Sequence, residues 1–189
     1  MKRKEIVLTF VCLCVSTLLY GQSVGIKTNI LMDALRTINL GVEIGLSKKT
    51  SLDLYANYNP WSYSDKKMMK MLIFQPELRY WFCDRFNGHF VGFHAHAGVY
   101  QASGIEMPLS IWPNLKDYRF KGNLYGVGIS YGYQWMLSKH WNLEGNIGLG
   151  YARVKYEQFE CKTCGAKVDE GHKNYIGPTK AAISLIYLF

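Results

Sequence analysis

The sequence predicts an all-β fold: an eight-stranded antiparallel transmembrane β-barrel after an N-terminal signal peptide. Three observations lead there. Apolar and more polar residues alternate in eight segments of about ten residues, the period of a strand with two unlike faces. The connections between these segments alternate short and long, as in barrels with tight turns at one end and longer loops at the other. The polar face is rich in glycine, and the apolar face carries aromatic residues near the strand ends.

Residues 1–21 read as the signal peptide. Lys2, Arg3 and Lys4 precede an apolar run from Ile6 to Tyr20, and Gly21-Gln22-Ser23 follows. The run is short for a transmembrane helix. Val11 and Leu13, just before Cys12 and Cys14, do not suit a lipoprotein signal. Cleavage near Gly21–Gln22 would leave residues 22–189 as the barrel. It would also remove three cations and one anion, so the formal charge of +8 falls to about +6. No basic cluster is interleaved with a recognition motif, so nucleic acid is not an expected partner. Basic surface beside anionic lipid headgroups is the expected use of the charge.

The strands follow in order. The first sets Ile26, Thr28, Ile30 and Met32 against Lys27, Asn29, Leu31 and Asp33. The second sets Ile38, Leu40, Val42, Ile44 and Leu46 against Asn39, Gly41, Glu43, Gly45 and Ser47. The third sets Leu52, Leu54, Ala56 and Tyr58 against Ser51, Asp53, Tyr55 and Asn57. The fourth sets Leu72, Phe74, Pro76, Leu78, Tyr80 and Phe82 against Gln75, Glu77, Arg79 and Trp81. Pro76 cannot donate to a ladder, so a bulge is expected there. The fifth sets Val91, Phe93, Ala95, Ala97 and Val99 against Gly92, His94, His96, Gly98 and Tyr100. The sixth runs from Tyr125 to Trp135 and the seventh from Trp141 to Tyr151. The last sets Thr179, Ala181, Ile183, Leu185, Tyr187 and Phe189 against Lys180, Ala182, Ser184, Ile186 and Leu188.

Ser47–Thr50, Cys83–Gly88 and Leu137–His140 are the short connections. Asn59–Lys70, Gln101–Lys121 and Glu157–Asn174 are the long ones, with Ala34–Thr37 a short exception at the same end. A soluble barrel of this size turns its apolar face inward. Glycine weakens a strand facing water but suits a crowded lumen of long charged side chains. Tyr80, Trp135, Trp141 and Phe189 toward one end, with Tyr125 and Tyr151 toward the other, form the two aromatic girdles of a membrane barrel. The apolar face is therefore assigned to lipid.

The final strand, ending on Phe189, resembles the C-terminal assembly signal of bacterial outer-membrane β-barrels. That resemblance implies recognition by the barrel assembly machinery. GIKTNILMDAL, NLGVEIGLSKKTSLDLYANYNPW, QPELRYWF and the closing Phe carry a wider resemblance. On them the mature region as a whole resembles an uncharacterised, domain-of-unknown-function family of small outer-membrane β-barrel proteins from Gram-negative anaerobes. It implies the fold, a cell outer-membrane location and a link to fimbrial or envelope proteins, and no activity or functional residue.

The inward charged residues are Lys27, Asp33, Glu43, Asp53, Glu77, Arg79, Glu144 and Lys180, with His94 and His96 beside them. A narrow lumen calls for an ionic plug in which Glu43, Glu77 and Glu144 pair with Lys27, Arg79 and Lys180. His94 and His96 share a face, a spacing that serves lumenal hydrogen bonding or a metal; no further ligand completes a metal site. Cys161 and Cys164, in the last long loop, fit a local disulfide, half a zinc site with His172, or free thiols. Cys83 is expected to be a lone thiol. The apolar loop between Ser103 and Phe120 would cap the barrel or meet a partner.

No cofactor and no catalytic set is expected. The leading expectation is a non-enzymatic structural or interaction protein acting through its outside loops. The alternatives are a rim enzyme using Ser62, Ser64, Asp65 or His172 on lipid or peptide, a narrow pore, and a soluble small-ligand carrier.

Overall fold

The computed structural model describes residues 24–64, 67–104, 118–160 and 166–189. The expected signal peptide lies outside the described residues. The described chain holds nine strands and one short helix: β1 (Val24–Asn29), α1 (Ile30–Ala34), β2 (Ile38–Gly45), β3 (Thr50–Asn59), β4 (Ser62–Ser64), β5 (Lys67–Trp81), β6 (Gly88–Ser103), β7 (Arg119–Met136), β8 (Trp141–Phe159) and β9 (Lys167–Leu188). Eight of them form a closed antiparallel ring in the order β3-β2-β1-β9-β8-β7-β6-β5, sealed by a β3–β5 pairing, and β4 is a short addition to β5. No described helix is long and apolar enough to cross a membrane.

Period-two alternation decides the two faces. Leu40, Leu78, Phe93, Ile129, Ile147 and Leu149 are exposed on the outside of the ring. Glu43, Asp53, Glu77, Arg79, His94 and Glu144, one residue out of phase, are buried inside.

Three local expectations are corrected. The first strand stops at Asn29 instead of running to Asp33. The Asn29 side chain accepts a hydrogen bond from the Leu31 amide and caps α1, so Leu31, Met32 and Asp33 turn away from the ladder. The connection to β2 is therefore longer than Ala34–Thr37, and Asp33 sits exposed at the rim, accepting from Thr28 and Asn39. Pro76 makes no bulge: the β5–β6 ladder omits Gln75 and Pro76 and resumes in the same register, while Pro76 still faces Leu54 on β3. A bulge falls instead on β9, across the ring, between Pro178 and Lys180, where Leu149 pairs with Pro178 and Gly148 with Lys180. Thr179 is the extra residue, and it faces the lumen beside Lys180 instead of lying with Ala181 on the outer face.

The ring is uneven in height. β1 has 6 residues, whereas β8 has 19 and β9 has 22. Much of the expected long connection Glu157–Asn174 is strand, since β8 runs to Phe159 and β9 starts at Lys167. Lys167 holds Glu157 and Glu170 in exposed ion pairs on this projecting hairpin.

Candidate functional site

The candidate site is the lumen, which is built in layers. At the short-turn end, Trp81, Phe86, Phe90, Ile186 and Leu188 form a buried apolar plug. The turn after β5 supplies part of it. Phe86 takes a positive φ of 65°, and its ring is buried against Trp81.

Above the plug lies the ionic network. Arg79 on β5 reaches four carboxylates: Nη1 donates to Glu43 at 2.8 Å and Glu144 at 2.7 Å, Nη2 to Asp53 at 2.7 Å, and Nε to Glu77 at 2.7 Å. A planar fork of five donors suits this task, since one guanidinium can bridge groups from β2, β3, β5 and β8. Lys27 on β1 donates to Glu43 at 2.6 Å and lies 3.3 Å from both Asp53 and Glu144. Lys180 on β9 donates to Glu77 at 2.6 Å. Four carboxylates thus meet three cations, and six strands are tied together through their charges. Plug and network are linked: Trp81 donates to Ser51 at 2.8 Å, Ser51 donates to Glu43, and Arg79 stacks 4.4 Å from the Phe90 ring centroid.

β6 and β7 supply space in place of charge. A Cβ on Gly92 would lie 2.6 Å from Glu77 Oε1 and 2.5 Å from Ser130 Oγ. On Gly128 it would lie 2.6 Å from His94 Nε2. Gly92→Val should therefore push the Glu77 carboxylate off Arg79 and destabilise the barrel by about 1–3 kcal/mol. A lowered urea midpoint would show it, and an unchanged one would mean that Glu77 relaxes freely.

His94 pairs with Thr179, Nε2 to Oγ1 at 2.9 Å, and its ring centroid is 5.8 Å from that of His96. Among the described residues no three His, Cys, Asp or Glu side chains converge on a metal position.

The third layer is a cavity of about 300 Å³ on the long-connection side of the network. Lys180, Asp53 and Glu144 form its floor, Asn57 and His96 stand on its sides, and Ile73 and Leu124 make apolar wall above them. Asn57 Oδ1 and His96 Nδ1 are buried with no partner among the described residues. Toward the rim, Ala102 and Phe120 form a second apolar cluster with Tyr100, Tyr118 and Tyr156 packed on it.

The structure thus brings together Lys27, Glu43, Glu77, Arg79, Glu144 and Lys180, and it adds Asp53 to them. Asp33 is left outside. Tyr80, Trp135, Trp141 and Phe189 are exposed on the outer face toward the short-turn end, Tyr125 and Tyr151 toward the other. Cys83 is an exposed free thiol, while Cys161 and Cys164 lie outside the described residues, as do Asp65 and most of the 103–120 loop. Ser62 on β4 and His172 on β9 have four strands between them along the sheet. The apolar plug and the cavity are not predicted from the sequence. Trp81, Ile186 and Leu188 sit in phase with the polar face, which is the one signal that could have revealed the plug.

No curated protein matches the chain. A family model described as Protein of unknown function (DUF3575) matches residues 7–189, and with that coverage the chain belongs to this family.

Proposed function

We propose that the protein is a non-conducting barrel of the bacterial outer membrane that serves as an anchor, presenting its tall β6–β9 wall and long connections to an envelope partner. The observation that carries this is the inversion of the barrel. Side chains such as Ile129 and Ile147, 68% and 69% exposed, cover the outside, while six buried charged residues and Lys180, ion-paired to them, lie within. That order costs free energy in water and suits a bilayer, where the closed ring also leaves no long unpaired edge at the level of its short turns. The aromatic bands on the outer face fit the two lipid–water interfaces. The C-terminal strand would be the part read by the assembly machinery, and a fimbrial or other envelope protein is the partner class that the family resemblance suggests.

The lumen supports the non-conducting part. Trp81 and Phe90 are fully buried, and the ion pairs above them cross the bore from β2, β3 and β5 to β8. Isolated outer membranes should therefore contain a form that migrates differently on a gel before and after boiling, and the purified protein should give no unitary currents in a planar bilayer. Recovery of the protein from the soluble periplasm would overturn the membrane reading. Steady single-channel currents would overturn the closed lumen alone.

A further inference from the structure

We propose that the cavity above the ionic network binds a single-chain amphiphile, of the class of a fatty acid or fatty alcohol, which reaches it sideways from the bilayer between β1 and β9. This rests on the membrane reading above.

The cleft follows from the length of β1. A strand needs about 9–11 residues to cross a bilayer, and β1 has 6. Its ladder with β9 runs from Gly25 opposite Leu188 to Asn29 opposite Ser184 and ends there. The Asn29 side chain extends it by one step, donating to the Ala181 carbonyl at 3.2 Å and accepting from the Ile183 amide at 3.2 Å. Beyond that step, no strand among the described residues pairs with this edge of β9. The chain turns into α1, a five-residue helix that touches β9. On the long-connection half of the barrel, a helical turn stands where a strand would complete the wall.

The cavity lies directly behind this place. Met32 from α1 and Ala181 and Ala182 from β9 line it, and these are the two banks of the cleft. Outside, Ile30 and Leu31 on α1 and Ile183 on β9 are exposed, so apolar surface runs from the barrel exterior to the cavity mouth. A hydrocarbon chain could follow that surface without meeting water.

The lining selects the ligand. Met71, Ile73, Leu124 and Val154 offer an apolar wall, and the volume of about 300 Å³ is at the small end of ligand pockets. Below them, the buried Asn57 Oδ1 and His96 Nδ1 have no partner among the described residues. A hydroxyl, or a carboxyl group in its protonated form, at that depth would donate to Asn57 Oδ1 and accept from a protonated His96 Nδ1. The charges beneath are already paired with one another, so the pocket asks for a hydrogen-bonding head and not for a counter-ion. An alkyl chain with one small polar head meets both demands.

The test is photolabelling of the protein in phospholipid vesicles with a dodecanoic acid carrying a diazirine on its chain, mapped by peptide mass spectrometry. Outward Leu72 and Phe74 report contact with the bilayer, whereas their neighbour Ile73 reports the cavity. Labelling of all three is expected. Leu124→Trp should fill the cavity and lower labelling of Ile73 by about tenfold while leaving Phe74 unchanged. Val154→Phe is the substitute should Leu124→Trp not assemble. Met32→Trp, which narrows the cleft and leaves the far wall intact, should slow labelling of Ile73. Label on Leu72 and Phe74 alone would overturn the binding site but leave the membrane reading in place. Absence of label from all three would overturn both. An unchanged rate in Met32→Trp would overturn the sideways route.

Discussion

Arg79→Ala should lower the stability of the barrel by about 3–5 kcal/mol, the cost of breaking a buried ion pair from one side. Glu43, Asp53, Glu77 and Glu144 are all paired to Arg79, and their side chains are essentially without solvent contact. With the guanidinium gone, four carboxylates share Lys27 and Lys180. Neither lysine replaces the fork, because an ammonium is a point charge with three donors. Arg79→Lys should therefore recover only part of the loss. Arg79→Met combined with Glu144→Gln should lose less than the sum of the two single changes, because the pair acts as one unit. Urea titration of the refolded protein in detergent micelles, followed by gel mobility, measures each midpoint. Equal midpoints for Arg79→Ala and the parent would show that the network contributes nothing to stability.

Ile129→Arg tests the other half of the arrangement. Ile129 is 68% exposed, yet this substitution should cost about 2–4 kcal/mol in a bilayer, where a cation near the midplane loses its water. On a water-facing surface the same change would fall within about 0.5 kcal/mol of neutral. Ile129 stands between Tyr125 and Trp135 along β7, so it is well placed to report the centre of the apolar band. Ile176→Arg is the matched control. Ile176 is 84% exposed and lies opposite Tyr151, at the level of the upper aromatic band, where the cost should shrink to about 0–1 kcal/mol. Refolding yields into lipid vesicles would separate the two. Equal, small effects at both positions would favour a water-facing exterior.

The parts of this fold visible in the sequence are those that depend on period alone. Alternation sorts Glu43 from Leu40 and Arg79 from Leu78 without any knowledge of their neighbours, so the charges that meet in the lumen could be named in advance. Four kinds of feature could not. Ile30 and Met32 continue the alternation of β1, but the Asn29 cap and the left-handed Arg36, with a φ of 56°, turn that stretch into a helix and a return. Period has no means of registering a cap. The bulge beside Pro178 could not be placed because a proline is tolerated wherever its missing donor faces a gap in the ladder; at Pro76 the β6 side provides that gap. The upper parts of β8 and β9 looked like loop because both faces turn polar there, as in Lys155, Glu157, Asp169 and Glu170. The cavity depends on where β1 ends and on which side chains stop short of filling the bore. Both are properties of three-dimensional closure.

The seam between β1 and β9 also bears on the order in which the molecule can be made. The other ring pairings join hairpin neighbours and bring together residues close in sequence. The seam joins Gly25 to Leu188 and is fastened at its base by the Phe189 amide donating to the Val24 carbonyl at 3.0 Å. It has a short ladder and the largest loop to close, so it gains its entropy-costly contacts last. Without residues 185–189 the seam keeps one of its five rungs, Asn29 opposite Ser184. The ring therefore stays open until β9 is available to β1, and commitment to the finished shape waits on the last of the nine described strands.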